Sequence, residues 1–245
     1  MPADRDYPCT HSFDTNADGV TDSINFYKYA TDGRTLELDQ DDDADGHLDH
    51  RNTFLYDSQK RASGTLIYNN DDSLVDVRVT ITWDGDVETI KYDFSDDGTV
   101  DFSKVYTWDA AGQQVSQESY GADGTLSASH QYTRDTDEKL LSDVSTTVGD
   151  PSKGSTTTFG YDEARNLISS DEDDGSDGTI EFHSTINRDA SGLAQTATVD
   201  SGAGVTLASY AYEYDDKRRL VKDTKDSGAD GTIDTSETYS FECWK

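Results

Sequence analysis

The chain is poor in basic residues, cysteine, proline and long apolar runs. Its 245 residues include 20 Lys and Arg against 51 Asp and Glu, a net charge of −31, with two cysteines and three prolines. A potential this negative disfavours nucleic acid and anionic membrane surfaces, because both are bound through basic patches. No apolar run approaches the roughly 20 residues that a membrane-spanning helix needs. The sequence therefore gives no sign of transmembrane insertion and excludes nucleic acid as a partner.

Hydrophobic residues make up only 32% of the chain, which approaches the composition of disordered proteins. Two features favour a fold. Fourteen tyrosines, eight phenylalanines and three tryptophans recur at regular intervals, and many acids have the spacing of metal loops, where a bound cation would cancel their repulsion. We therefore expect an ordered chain, a monomer, whose stability depends on calcium.

The first ten residues, MPADRDYPCT, lack the apolar core of a signal peptide, as in a protein whose export signal has been removed. Low-affinity acidic loops suit the millimolar calcium found outside cells. We expect the protein to be secreted, periplasmic or at the cell surface.

Two sequence markers recur in phase, about 26 residues apart. The first is an aspartate followed by glycine, at Asp18, Asp45, Asp97, Asp123, Asp177 and Asp230, with degenerate copies near Asp72, Pro151 and Ala203. The second is an aromatic residue followed by aspartate, at Tyr56, Trp83, Trp108, Tyr161 and Tyr214, with Arg134 and Arg188 as variants. Two markers in phase indicate one supersecondary unit repeated about nine times. We assign residues 1–245 to a single repeat domain.

Within each copy, apolar and polar residues alternate after the glycine, which predicts a strand. The apolar face is clearest in three copies, at Val100, Phe102, Lys104, Tyr106 and Trp108, at Val75, Val77, Val79, Ile81 and Trp83, and at Ile233, Thr235, Glu237, Tyr239 and Phe241. A turn such as Asp109 to Gly112 follows, and then a second strand. Each copy is thus a β-hairpin, and because one hairpin alone is marginally stable, the copies must pair into a continuous antiparallel meander.

The acidic connections between hairpins have the spacing of calcium loops. Two match the pattern Asp-x-Asp/Asn-x-Asp-Gly-x-x-Asp fully, at Asp14, Asn16, Asp18, Asp22 and at Asp41, Asp43, Asp45, Asp49. Three match it in part, at Asp93, Asp97, Asp101, at Asp173, Asp177, Glu181 and at Asp226, Asp230, Asp234. Calcium takes six to eight oxygen ligands, which alternate acids on a tight turn can supply. The alternative is that these are soluble turns, since aspartate and glycine favour turns without any metal.

Other kinds of site have weaker support. His47 and His50 have no third nitrogen or sulfur ligand nearby in sequence, which argues against zinc. The aromatic face is either the core or a platform for sugars, and we favour the core. No Gly-x-Ser-x-Gly motif, phosphate loop or Cys–His dyad occurs, so we expect no enzyme.

The Tyr-Asp pair, the turn and the following Asp-Gly resemble the YD (Rhs-type) repeats of bacterial surface and toxin-shell proteins. The acidic loops resemble those of thrombospondin type 3 and dockerin repeats, although a strand follows each loop here where a dockerin has a helix. The YD resemblance implies a secreted or surface protein built as a curled β-sheet, often with an encasing role. We expect a structural, adhesive or scaffolding protein whose partner is a protein or polysaccharide of the cell surface or matrix, with a carbohydrate-binding module as the alternative.

The two cysteines, Cys9 and Cys243, lie at opposite ends of the chain in half-repeats that complement each other. The strand from Pro8 to Phe13 can therefore pair with the strand from Thr232 to Phe241 and complete a ninth hairpin. Closure removes the open sheet edges that invite aggregation, and a Cys9–Cys243 disulfide would lock it. We predict an all-β antiparallel meander that is closed or nearly closed into a barrel, with an open or spiral sheet as the fallback.

Overall fold

The computed structural model describes residues 9–69 and 74–241 and contains one sheet of eighteen strands. The strands are β1 Thr10–Asp14, β2 Ser23–Tyr29, β3 Thr35–Asp41, β4 His50–Tyr56, β5 Ala62–Asn69, β6 Val77–Asp84, β7 Val87–Asp93, β8 Phe102–Trp108, β9 Gln114–Gly121, β10 Leu126–Arg134, β11 Leu140–Thr147, β12 Ser155–Tyr161, β13 Leu167–Asp174, β14 Phe182–Arg188, β15 Ala194–Ser201, β16 Thr206–Tyr214, β17 Leu220–Ser227 and β18 Thr235–Ser240. A single 3-10 turn, Pro151–Lys153, interrupts them. None of the described helical residues forms a segment long and apolar enough to cross a membrane.

Every strand pairs antiparallel with its neighbours in the chain, and β1 closes the ring by pairing with both β2 and β18. The seam runs from Thr10 opposite Ser240 to Asp14 opposite Ser236. The predicted closure of the two half-repeats into a ninth hairpin is therefore confirmed, and the sheet is a barrel with no open edge. Open edges are costly because their unpaired N–H and C=O groups template aggregation.

The two faces of the barrel wall differ in exposure. In β6, Arg78, Thr80 and Thr82 are exposed, whereas Val79 is buried and Trp83 is half-buried. Directly opposite residues of antiparallel strands point to the same side of the sheet. Val79 lies opposite Tyr92, and Tyr92 lies opposite Phe102, so these three side chains share one face across β6, β7 and β8. Side chains converge on the concave side of a curved sheet, so this less exposed aromatic face lines the inside.

The interior is not packed solid. Among the described residues only Cys9, Val79 and Ala208 are buried and hydrophobic. If the barrel were flattened, its opposite walls would pack face to face and bury the aromatic side chains between them, as the two sheets of a sandwich do. The inward-facing aromatic side chains are only half-buried, so the barrel is hollow.

In two copies the tyrosine before the turn aspartate joins one hairpin to the previous one. The Tyr56 hydroxyl donates to the carbonyl of Thr35 at 2.6 Å, and the Tyr161 hydroxyl donates to the carbonyl of Leu140 at 2.8 Å. A cation from the preceding turn stacks on the ring, with Arg34 4.4 Å from the centre of Tyr56. At the variant position Arg188, the guanidinium Nε donates to the carbonyl of Leu167 at 3.0 Å. The second sequence marker is therefore an inter-repeat contact, a role that periodicity alone did not indicate.

Three strands begin later than the sequence pattern predicts. Val75, Val100 and Ile233 are predicted on the apolar strand face, but β6 starts at Val77, β8 at Phe102 and β18 at Thr235. All three residues lie in loops, where Val100 and Ile233 are exposed by 38% and 42%. The reason is local: the amide of the loop's last acid, Asp101 or Asp234, donates to the carbonyl of Tyr92 or Lys225 and closes the loop before the ladder begins.

Candidate metal loops

The hairpins place the acidic or degenerate loops at one end of the barrel and the eight hairpin turns of the described chain at the other. We call the first end the loop rim, made by the described residues of the connections 15–22, 42–49, 74–76, 94–101, 122–125, 148–154, 175–181, 202–205 and 228–234. We call the second end the turn rim, made by the described connections 30–34, 57–61, 85–86, 109–113, 135–139, 162–166, 189–193 and 215–219. All predicted metal ligands lie at the loop rim or at the strand ends beside it.

Five loops share their backbone conformation at two positions, although only two match the full sequence pattern. The fourth position of each, Ala17, Ala44, Asp96, Ser176 or Ala229, has φ between 50 and 55°. The sixth position, Gly19, Gly46, Gly98, Gly178 or Gly231, has φ between 87 and 92°. Only glycine adopts the second value without strain. The partial loops that begin at Asp173 and Asp226 differ from the others at the third position, where Gly175 and Gly228 have φ of 82° and 84°.

The first carboxylate of each loop organises the turn. Asp41 accepts hydrogen bonds from the amides of Asp45 at 3.1 Å and Gly46 at 2.9 Å. Asp14, Asp93, Asp173 and Asp226 accept the same pair of bonds. Asp41 is 2% exposed, and Asp93 and Asp226 are also buried. A buried carboxylate needs such donors or a cation, because an isolated buried charge is costly.

The last carboxylate reaches back across the loop to the amide of the second residue. In this way Asp49 accepts from Asp42 at 2.8 Å. Asp22, Asp101, Glu181 and Asp234 accept the equivalent bond in the other loops. Asp76 of the third loop does the same from Asn69 at 2.6 Å, although the sequence has Tyr68 in place of the first acid. The first and last acids are thereby held facing each other across one point.

Among the described residues, only the second loop brings the ligand oxygens of three acids together. Oxygens of Asp41, Asp43 and Asp49 lie within 4.8 Å of one another. Asp45 lies outside this group, because its Oδ1 accepts from the amide of His47 at 2.8 Å. Three carboxylates this close repel unless a cation or protons separate them. The donor set, all oxygen on a flexible loop, fits calcium better than zinc.

The fifth-position acids of three partial loops share one electrostatic feature. A hydrogen bond from the backbone amide of Thr99, Thr179 or Thr232 lowers the pKa of Asp97, Asp177 or Asp230 respectively. In the first loop, bonds from Thr15 lower the pKa of Asp22. These acids are therefore ionised at neutral pH, and Asp97, Asp177 and Asp230 accept the same amide bond that Asp45 accepts from His47.

The two histidines weighed for zinc occupy separate places. His47 lies in the loop and His50 on β4, where its Nε2 is 3.0 Å from Asp42 and its Nδ1 is 3.0 Å from Asn69. His50 is thus held by its neighbours.

A polar cluster at the seam escaped the sequence analysis. His11 Nε2 lies 2.9 Å from Glu237, and the Tyr239 hydroxyl lies 3.1 Å from Glu237 and 3.3 Å from Asp223. Burial, with the nearby Glu237 charge, raises the pKa of Asp223. In the sequence, the only indication of this cluster is the predicted pairing of β1 with β18, which brings together residues more than 200 positions apart.

Cys9 is buried, and its amide donates to the carbonyl of Ser240 at 3.0 Å. This places it at the seam, as the closure hypothesis requires. Cys243 lies outside the described residues.

Comparison with known proteins identifies the fold class but no family. No protein-family model matches the sequence, and no curated protein matches it. Among solved structures, a porin-like protein from Bacteroides uniformis is similar over 95% of this chain and 97% of its own, with 12% identity and a TM-score of 0.52. A porin-like protein from Bacteroides vulgatus gives 10% identity, a TM-score of 0.41, and coverage of 96% and 98%. A TcdB2-TccC3-Cdc42 structure gives 13% identity and a TM-score of 0.32 over 87% of this chain and 14% of that one. The first likeness places the chain in the class of antiparallel β-barrel proteins.

Proposed function

We propose that the chain is an exported calcium-binding β-barrel with a structural, adhesive or scaffolding role at the cell surface. The observation that carries the proposal is the shared geometry of the five acidic loops at one rim. Their first and last acids face each other and are already ordered by backbone donors. Such preorganisation lowers the cost of binding an ion.

The outer wall supports a barrel that stands in water and does not insert into a membrane. A membrane barrel presents an apolar band on its outer face and polar residues inside. Here the exposed outward residues of the strands are mostly polar, for example Lys28, Arg51, Lys91, Gln131 and Glu213, and the aromatic residues face inward. The exceptions in the described strands are five leucines, Leu36, Leu55, Leu126, Leu141 and Leu207. This distribution is the reverse of that in a membrane barrel.

The role follows from the absence of catalytic motifs in the sequence and from the resemblance to YD repeats, which form shells in surface and toxin proteins. A hollow, closed wall suits a shell or spacer, and the partner we expect is a protein or polysaccharide of the surface or matrix. A Cys9–Cys243 disulfide belongs to the same proposal. In the chain-entropy model it would contribute on the order of 4–5 kcal/mol by joining the ends.

Calorimetric titration with calcium chloride tests the proposal. We expect binding to the native chain, with magnesium a weaker ligand because it requires a tighter octahedral site. The Asp41→Asn, Asp14→Asn double variant should lose the two fullest sites, whereas Asp109→Asn at the turn rim should bind as the native chain does. Absence of calcium binding by the native chain would refute the proposal.

The carbohydrate-binding alternative keeps one supporting observation. The rings of Trp83 and Trp108 lie 6.4 Å apart, tilted by 33°, on the inner face, where a sugar that entered the barrel could stack. Tryptophan fluorescence during titration with oligosaccharides tests this function. A saturable shift that is lost in Trp108→Phe would favour it over the scaffold.

A further inference from the structure

A groove of about 860 Å³ lies beside β13 and β14 near the turn rim. We call it the outer groove, and it is lined by Ser169, His183, Thr185, Asn187 and the turns that follow β12 and β14. Phe182 occupies the repeat position of the inward-facing Phe102, four residues after the loop glycine. Alternate residues of a strand face opposite sides of the sheet, so His183, Thr185 and Asn187 face outward into this groove.

Three side chains of the outer wall form a hydrogen-bonded chain that ends at the outer groove. Asp171 on β13 lies directly opposite His183 on β14, and its Oδ1 is 2.5 Å from His183 Nδ1. His183 Nε2 is 3.1 Å from Oγ1 of Thr185, two residues further along the strand. A carboxylate only accepts, so in the neutral imidazole Nδ1 carries the proton and Nε2 accepts from the Thr185 hydroxyl. This order of hydroxyl, imidazole and carboxylate is that of a nucleophile, its general base and the group that orients the base.

Asn187 adds a donor next to the hydroxyl. It follows Thr185 by two residues on the same face of β14, so Thr185 lies between the imidazole and the amide. The side-chain nitrogen of Asn187 donates one hydrogen to Oγ1 of Thr196 at 3.2 Å. An amide nitrogen carries two hydrogens, and the second can donate to the oxyanion that forms when Thr185 attacks a carbonyl group.

We propose that the outer groove hydrolyses carboxylic esters, with Thr185 as nucleophile, His183 as general base and Asp171 as the residue that positions the imidazole. Oγ1 of Thr185 bonds to the ester carbonyl carbon while its proton passes to His183 Nε2. The ester C–O bond then breaks, and the leaving alcohol takes that proton. Water that gives a proton to the same nitrogen cleaves the acyl group from Thr185 as a carboxylic acid and restores the hydroxyl. This activity goes beyond the proposed structural role and does not depend on calcium.

The groove restricts the substrate by its access and its charge. The side chains of His183 and Asp171 are 43% and 41% exposed, so a substrate reaches them from water without any opening of the wall. Hydrogen bonds from Asn166 and Ser191 lower the pKa of Asp162 and Asp189, which line the groove and are therefore ionised at neutral pH. Two negative charges repel an anionic substrate. We therefore expect an uncharged ester.

Hydrolysis of p-nitrophenyl acetate by the full chain, with mass mapping of the acid-quenched protein, tests the proposal. We expect turnover and an acetyl group on Thr185. Thr185→Val should abolish both, and His183→Gln should lower kcat by about a hundredfold or more, the lower range for a positioned general base. Asp171→Asn should lower kcat and leave KM unchanged, because an amide that donates to Nδ1 favours the tautomer with the proton on Nε2.

Two matched controls separate this chemistry from the general reactivity of a protein surface. Thr198→Val removes the hydroxyl directly opposite Thr185 on β15. His130→Gln breaks another His–Asp pair, in which Nδ1 of His130 lies 3.0 Å from Asp143. Both variants should hydrolyse the ester as the native chain does.

The outcomes separate this proposal from calcium binding. Absence of acetylation at Thr185 in the native chain overturns it. Hydrolysis that survives in Thr185→Val but is lost in His183→Gln also overturns it, because the imidazole would then attack the ester directly. Equal losses in the controls and in the groove variants overturn it as well, since the effect would not belong to the groove. Calcium titration of the same proteins is a separate measurement, so either proposal can fail without the other.

Discussion

The two rims of the barrel share one type of hydrogen-bonded turn but differ in how the charge of the turn aspartates is compensated. At both, an aspartate accepts bonds from amides two to five residues ahead, and a residue with positive φ completes the turn. At the turn rim, cations are built into the same turns: Arg219 lies 2.7 Å from Asp215, and Lys60 lies 2.9 Å from Asp32 of the previous turn. At the loop rim, Lys153 is the only Lys or Arg in any of the nine connections.

The difference shows where charge is left uncompensated. Ion pairs and stacked cations neutralise much of the turn rim within the chain itself. The loop rim keeps its carboxylates and adds exposed aliphatic residues, and Arg78, from β6, reaches Asp96 at 2.6 Å as a single intrusion. A surface that leaves acids unpaired costs stability unless a ligand removes the repulsion. We therefore expect a ligand such as calcium to stabilise the loop rim and not the turn rim.

Removal of calcium is expected to have the largest effect on the difference in stability between the two rims. Each occupied site adds about 2.7 kcal/mol at a hundredfold excess of ion over its dissociation constant. We expect a chelator to lower the melting temperature and to raise hydrogen exchange first at the loop rim. Identical melting curves at low salt with calcium and with chelator would contradict the expected difference between the rims.

A pair of matched substitutions gives the next largest effect. Asp41→Ala removes an acceptor of two amide bonds and a metal ligand, and Asp109→Ala removes an acceptor of two amide bonds alone, from Ala111 and Gln113 at 2.9 Å. In chelator each should lower the free energy of unfolding by about 1–3 kcal/mol. In calcium, Asp41→Ala should lose more than Asp109→Ala. Equal losses in both conditions, measured by urea unfolding, would mean that Asp41 holds no ion.

Acid titration should separate the rims with a smaller effect. Hydrogen bonds from Asn166, Ser191 and the Arg219 amide lower the pKa of Asp162, Asp189 and Asp215 at the turn rim. A lowered folded pKa means that the stabilisation is present above the ordinary value of 3.8 and is lost as pH falls through the folded value. Carboxyl NMR titrations should show these shifts, unchanged by calcium, whereas calcium should lower the apparent pKa of Asp97 and Asp177 further. A calcium-dependent change in the pKa of Asp189 would contradict the expected difference between the rims.

Backbone strain gives the smallest expected change. Glu138 at the turn rim has φ of 70°, and Ala44 at the loop rim has φ of 53°, both in the left-handed region that disfavours a side chain. Replacing either by glycine relieves the strain but adds entropy to the unfolded chain. We expect Glu138→Gly and Ala44→Gly each to raise the free energy of unfolding by roughly 1 kcal/mol or less. Destabilisation by Ala44→Gly alone would show that the loop rim requires that side chain.

Much of the fold was predictable because the same sequence pattern recurs in successive repeats. Alternation gave the strands, the turn residues gave the hairpins, and the half-repeats beside Cys9 and Cys243 gave the closure that the β1 and β18 pairing confirms. The strand starts predicted at Val75, Val100 and Ile233 were wrong by two residues, since periodicity does not register the amide bond that closes each loop. Calcium binding stays a prediction.

The sequence alone determined the repeat, the antiparallel pairing and the loop pattern, because each depends on residues close together in the chain. The tertiary structure decided which face of the wall is inside, that the barrel is hollow, and that Tyr56 and its equivalents join successive hairpins. It also decided the seam cluster of His11, Glu237 and Tyr239. These features depend on the curvature and closure of the sheet, which bring residues from distant repeats to one surface. A local sequence pattern contains no information about such contacts.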